Sequence, residues 1–275
     1  MPVRVYRPEP GWVPPTPSPA TDDGLRAGLV WYHGGGFVGG DLDMPEADLV
    51  ARGIATRTGS TVVSVFYRLC ADGVTHHPVP HDDCWAAYTW ARDHAADLGI
   101  DVRRVAVGGA SAGACLAGTV GVHGRDADRQ SGRGIAPWQV LLAYPVAHAS
   151  WWPAPSEELA TCLAKVPPVL NLGGGEEDNP LNRLYLGGPS VDVDPWAYPG
   201  ESSDLSGFPT TYIENSENDS LRASGEQLGR QLAAAGADVE VVTAAGVPHG
   251  HLNAVGSPLT AQTLDRFAAR LAREA

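Results

Sequence analysis

The chain has 275 residues, 43% of them hydrophobic, and a formal net charge of -13 at pH 7. That length supplies one large α/β domain or two small ones, and a sequence pI of about 5.0 disfavours phosphate backbones and anionic lipid headgroups as partners. No apolar run approaches the ~18 residues of a membrane span, and Met1-Pro2-Val3-Arg4-Val5-Tyr6 lacks the basic start and apolar stretch of a secretory leader.

A short strand is expected near Val3 to Tyr6, within an N-terminal arm over residues 1–23. Pro8, Pro10, Pro14, Pro15, Pro17 and Pro19 favour extended geometry there, as an arm over the surface. Gly28 to Tyr32 is an apolar run suited to a buried strand, and Pro45 to Thr58 reads as a helix opening on proline and acids. Ser60 to Tyr67 is β-branched and bounded by Gly59, a second strand. His81 to Leu98 carries Trp85, Tyr88, Ala91 and Ala95 at helical spacing, with Asp82 or Asp83 placed to cap its start. A third strand, Arg103 to Val107, runs straight into Gly108-Gly109-Ala110-Ser111, and a helix of small residues follows from Ala112 to His123. Trp138 to Tyr144 is the fourth main strand, stopped by Pro145. Pro209 to Glu214 and Val239 to Thr243 are two more strands, with helices at Ser220 to Ala235 and Pro258 to Arg273.

This alternation predicts an α/β fold with a mostly parallel central sheet and helices on both faces. Residues 147–206 break the rhythm with Trp151, Trp152, Trp196, many prolines and the loop Gly173 to Glu177. They read as a lid insertion after the fourth main strand, in a chain that is otherwise a single domain over 1–275. The three tryptophans either line a pocket beneath the insertion or pack inside it. The four cysteines form no C-x-x-C pair, so reduced thiols in a cytoplasmic protein are expected.

Two glycine-rich segments carry the chemistry. In Gly109-Ala110-Ser111-Ala112-Gly113 a strand turns directly into a helix. Such a turn strains the backbone of its central residue and needs glycines two positions to either side. It raises the Ser111 hydroxyl beside the positive end of the following helix. In His33-Gly34-Gly35-Gly36 the missing side chains let consecutive amides approach a substrate oxygen. Gly35, Gly36 and Ala112 are the predicted oxyanion-hole donors.

A serine hydroxyl needs a base to take its proton. A strand–turn–helix nucleophile of this kind is followed in the chain by an acid and then a histidine. Asp219 follows the next-to-last strand and His249 the last, so Ser111, Asp219 and His249 are the predicted catalytic residues. Asp219 is preferred to Glu217 on the same loop, and His249 to His251, because Gly250 relieves crowding at a loop tip. His76, His77 and His81 match no common ligand spacing, so no metal and no cofactor is expected. His94, His123 and His148 have no partner that the sequence identifies.

HGGGFVGG from His33 to Gly40, Tyr67-Arg68-Leu69, GASAG from Gly109 to Gly113, Tyr144-Pro145, Asp204-Leu205-Ser206-Gly207, Asp219-Ser220-Leu221-Arg222 and His249-Gly250 occur in this order over nearly the whole chain. In this the chain resembles the hormone-sensitive-lipase-like α/β-hydrolases, the family IV bacterial esterases. The resemblance implies a carboxylesterase acting on short- to medium-chain acyl esters, with the same triad and oxyanion donors and with His33 buttressing the glycine loop. The expected partner is a small-molecule ester, not nucleic acid or membrane, and a homodimer is left open. Ala110 stands where most relatives have Asp, His251 where an aromatic often follows His-Gly, and the N-terminal cap helices usual in the family look absent. Relatives that act as biosynthetic dehydratases or cyclases, or that bind a hormone without catalysis, supply the alternative readings. Retention of His249 argues against the second of these.

Overall fold

Continuous apolar runs build the centre of the sheet, as expected for strands covered on both faces. In a computed structural model, described over residues 1–149, 152–166, 179–190 and 193–274, these runs become β1 (Val3–Tyr6), β2 (Arg26–Tyr32), β3 (Thr61–Val65), β4 (Ile100–Ala110), β5 (Gln139–Ala143), β6 (Thr210–Asn218) and β7 (Val239–Pro248). Among the described residues the sheet order is β1-β3-β2-β4-β5-β6-β7. β1 runs antiparallel to β3, and the other pairings are parallel.

Helices cover both faces. On one side α1 (Pro45–Thr58) and α7 (Pro258–Leu271) bury Val50, Ile54, Leu264 and Phe267 against Leu29 and Trp31. On the other, α2 (Val79–Asp93), α3 (Ala112–Ser131) and α6 (Arg222–Ala234) bury Tyr88, Leu116 and Leu228 against Val30, Val107 and Ile213. Two short helices, α4 (Glu157–Leu163) and α5 (Pro180–Leu186), lie between β5 and β6. The proline-rich arm is tied to the end of α1: Thr16 donates its amide to the Arg57 carbonyl at 2.9 Å and Ser18 to that of Thr58 at 2.8 Å.

Several element limits differ from the sequence expectation. α2 starts at Val79 after Pro78, and no side chain caps it. Asp83 does not cap the helix because it takes the Arg68 guanidinium, at 2.8 and 2.9 Å, together with the Arg68 amide. α2 also stops at Asp93, short of Leu98, while α3 continues past His123 to Ser131, where Gly132 turns the chain at φ 64°. β6 and β7 extend to Asn218 and Pro248. Their last residues are polar or small because they approach the open end of the sheet, so composition gave no sign that pairing continued.

That extension matters for the site. β2 ends at Tyr32, β4 at Ala110, β6 at Asn218 and β7 at Pro248, and the next residues are His33, Ser111, Asp219 and His249. Parallel register aligns these ends, with Tyr32 opposite Gly109, Ala110 opposite Ala143, and Asn218 opposite Pro248. Every candidate side chain therefore emerges at the same carboxyl edge, the usual location of α/β ligand sites.

β2 and α3 meet backbone to backbone. A Cβ on Gly113 would collide with the Tyr32 and His33 carbonyl oxygens, both fixed backbone atoms. Gly113→Ala should therefore lower stability by at least about 1–3 kcal/mol, read as a shifted denaturant midpoint at constant slope. An unchanged midpoint would show that the two backbones are not in contact.

Candidate active site

Ser111 caps α3 with φ 55° and ψ -119°, a conformation L-residues avoid. Its amide donates to the Ala143 carbonyl at 2.9 Å, which pins the turn to β5. A Cβ on Gly109 would strike the Gly113 backbone, so both flanking glycines are sterically required.

The Ser111 hydroxyl lies 2.9 Å from His249 Nε2, and His249 Nδ1 lies 2.7 Å from Asp219 Oδ2. A carboxylate only accepts, so Nδ1 carries the proton and Nε2 is left to accept from Ser111. Asp219 is 1% exposed, and its second oxygen accepts the Leu221 amide at 2.9 Å. Burial of the His249 ring opposes charging, but the Asp219 carboxylate outweighs it. With help from Glu46, Asp219 holds the His249 pKa above its ordinary value. Tyr144 packs edge-on against the ring at 5.0 Å.

The competing residues are committed elsewhere. The Glu217 carboxylate accepts the Gly246 amide at 2.8 Å. His251 bridges Ser216 at 3.1 Å and Thr263 at 2.9 Å, and burial pushes its pKa down to about 4. It thus remains a neutral anchor for the loop that carries His249.

The glycine loop faces the same point. Gly35 and Gly36 adopt φ 113° and 62°, and a Cβ on Gly35 would enter the Gly39 backbone. Among the described residues, neither amide donates to another backbone group. The Ala112 amide opens α3 and has no intrahelical carbonyl to meet. His33 is buried, with Nδ1 2.7 Å from the Gly34 carbonyl oxygen and its ring stacked on Tyr67 at 4.5 Å.

These groups open on a cavity of about 370 Å³ whose lining includes Gly35, Gly36, Ser111, Ala112 and His249. Phe37, Val38, Val146, Trp152, Leu181 and Leu221 make most of its wall apolar. Trp152 and Leu181 come from the segment between β5 and β6, which also supplies Asn179 and Asn182. Of the three tryptophans in that segment, Trp152 lines the cavity. Trp196 instead stacks on His123 at 3.9 Å and donates to Asp126 at 3.2 Å. Trp151 and the loop Gly173 to Glu177 lie outside the described residues.

The remaining histidines are used in packing. His81 Nδ1 lies 2.9 Å from Thr119 Oγ1 and Nε2 lies 3.0 Å from His123 Nδ1, and burial lowers the His81 pKa to about 3. His148 meets Ser224 at 2.8 Å and Gln231 at 2.9 Å, while His94 donates to the Trp90 carbonyl at 2.9 Å. Among the described residues, no group of three or more His, Cys, Asp or Glu could hold a metal ion. Nor is any described helix long and apolar enough to cross a membrane.

Residues 29–253 match a protein family described as the alpha/beta hydrolase fold. The chain belongs to the α/β-hydrolase family. Its relatives include Esterase LipI of Mycobacterium tuberculosis, 34% identical over 92% of this chain and 72% of that protein. Carboxylesterase NlhH of the same organism is 34% identical over 99% of this hydrolase and 78% of its own length. The crystal structure of EstE1, a thermostable carboxylesterase from a metagenomic library, superposes with a TM-score of 0.76 at 30% identity, covering 98% of this chain and 83% of that one. These relatives agree with the hormone-sensitive-lipase-like resemblance carried by the motifs.

Among the cavity-wall residues that sequence reasoning overlooked are Glu46 and Asn253. Glu46 lies in the first turn of α1 and Asn253 in a short turn after His249-Gly250, and neither had a sequence partner to mark it. For His249 the electrostatic expectation is direct. Asp219→Asn removes the main group favouring the imidazolium and leaves burial to dominate, so the His249 pKa should fall below that of the parent in an NMR titration. A pKa that stays or rises would show that Asp219 does not set the charge state of the ring.

Proposed function

We propose that this hydrolase is a serine carboxylesterase that cleaves short- to medium-chain acyl esters through an acyl-enzyme on Ser111. The contiguous Ser111–His249–Asp219 hydrogen-bond chain, facing the Gly35, Gly36 and Ala112 amides, carries the reading.

The ester carbonyl oxygen sits among the amides of Gly35, Gly36 and Ala112. Ser111 Oγ attacks the carbonyl carbon while its proton moves to His249 Nε2. The negative charge that develops on the oxygen meets three fixed donors, and removing one such donor typically costs ~100- to 1000-fold in turnover. Asp219 orients the ring through Nδ1 and stabilises the imidazolium. The proton on Nε2 then passes to the leaving alcohol oxygen as its bond to carbon breaks. Water enters, gives a proton to His249, attacks the acyl carbon and frees the acid, and Ser111 recovers its proton.

The apolar wall favours an uncharged acyl chain, and the cavity of about 370 Å³ lies near the small end of the ~300–1,000 Å³ range of ligand pockets. We read the chain as one catalytic domain in a cytoplasmic enzyme, with residues 147–206 forming the lid over that cavity. Trp152, Asn179, Leu181 and Asn182 are its contribution to the wall.

Ser111→Ala should lower kcat on p-nitrophenyl esters by ~10⁴- to 10⁶-fold with an unchanged melting curve. Retained turnover would refute the covalent scheme. Across esters from acetate to decanoate, kcat/KM should peak at short or medium length and fall by decanoate. Because His249 acts as the base only when neutral, and its pKa is raised, kcat/KM should climb with pH through a midpoint above the ordinary histidine value of ~6.5. A midpoint below that value would contradict the assignment of His249 as the base.

A further inference from the structure

Glu46, 2% exposed, lines the cavity and takes no part in the reaction scheme. It lies in the first turn of α1, where the helix dipole favours negative charge. Yet its oxygens are turned away from its own helix. Oε1 accepts the Gly34 amide at 3.0 Å, and Oε2 accepts Asn253 Nδ2 at 2.7 Å. Asn253 Oδ1 in turn accepts the Glu46 amide at 3.1 Å, and Asn253 Nδ2 also lies 3.3 Å from the Gly250 carbonyl oxygen. The carboxamide orientation is self-consistent, since its donor side meets two acceptors and its oxygen meets an N–H.

This ring of hydrogen bonds joins segments far apart in the chain. Gly34 directly precedes the Gly35 and Gly36 amides, and Gly250 directly follows His249. Gly34 is itself enclosed: a Cβ there would meet Glu46 Oε1 and come within 3.1 Å of Ser111 Cβ. One side chain therefore holds the loop of the donors directly and the loop of the base through Asn253.

We propose that Glu46 is a positioning residue that locks the oxyanion loop to the histidine loop through Gly34 and Asn253, and whose negative charge favours the His249 imidazolium. The proposal rests on the esterase reading of this site.

The surrounding groups leave that charge little competition. His249 is faced by Asp219, Ser111, Tyr144 and Glu46. Burial raises the Tyr144 phenol well above its ordinary range and does the same for Tyr67 near Glu46, so both are neutral. His251, which also packs edge-on against Tyr144, is neutral as well. The anionic side chains acting on the imidazole are then Asp219 and Glu46. Burial holds the Glu46 pKa above its ordinary value, against the opposing pull of the Asn253 hydrogen bond, His249, the Gly34 amide and Tyr144.

The test compares the parent with Glu46→Gln and Asn253→Ala, following the His249 imidazole by NMR titration and kcat and KM on the preferred ester. Glu46→Gln keeps the shape, removes the charge and, because an amide nitrogen cannot accept, gives up one of the two hydrogen bonds from Gly34 and Asn253. It should lower the His249 pKa and reduce kcat about tenfold to a hundredfold with little change in KM. Asn253 is exposed, so its truncation spares the core. Asn253→Ala should reduce kcat and lower the His249 pKa less than Glu46→Gln does. An unchanged His249 pKa in Glu46→Gln, or parental kcat in both variants, would overturn the proposal. A purely structural Glu46 would alter melting without moving either readout. Should the parent turn over no ester, the esterase reading fails, and the titration still decides the role of Glu46. Should Glu46→Gln not fold, parental kcat in Asn253→Ala would overturn the clamp and a reduced kcat would support it.

Discussion

The site depends on the backbone conformation of Ser111. Holding a non-glycine residue at φ 55°, ψ -119° costs on the order of 1–3 kcal/mol. The turn persists because its surroundings allow no other path. Gly109 and Gly113 approach each other closely enough to exclude a Cβ on Gly109, Gly113 lies on the Tyr32 and His33 carbonyls, and the Ser111 amide is held by Ala143. The strain projects the hydroxyl from the sheet and presents the open amide of Ala112 beside it. The same contact that forces the turn brings the glycine loop after β2 within reach of the serine.

The parallel sheet converts this local strain into a site. β2, β4, β6 and β7 each deliver one candidate residue immediately past their carboxyl ends, and parallel register, carried across β5, brings those ends to one edge of the sheet. Electrostatics then divides the titratable groups. His249 faces carboxylates and is raised, whereas His251, two residues along, is buried among Ser216 and Thr263 and lowered to about 4. Two histidines of similar sequence context thus differ in their capacity to carry a proton.

Much of this was legible in the sequence because it rests on local patterns. Apolar runs announced the central strands, and the positions of Ser111, Asp219 and His249 after three of the later strands followed from chain order. Limits were less legible where tertiary pairing overrode composition. The polar end of β6 stays in the ladder because β7 runs beside it, and Asp83 leaves the helix start to pair with Arg68. Glu46 read as one of the acids in the first turn of a helix. Its role depends on Asn253, which only folding brings near. The segment after β5 has no clear periodicity, so Trp152 and Trp196 could not be told apart, although one lines the cavity and the other packs on His123.

The central claim is that the serine at the strained turn is an activated nucleophile because His249 accepts its proton. Intact-mass and peptide mapping after treatment with a fluorophosphonate, which reacts with activated serines, tests this most directly. The account expects one adduct per chain, on the peptide containing Ser111, and none in a His249→Ala variant. An adduct on a different serine with Ser111 unmodified, or equal labelling without His249, would contradict it.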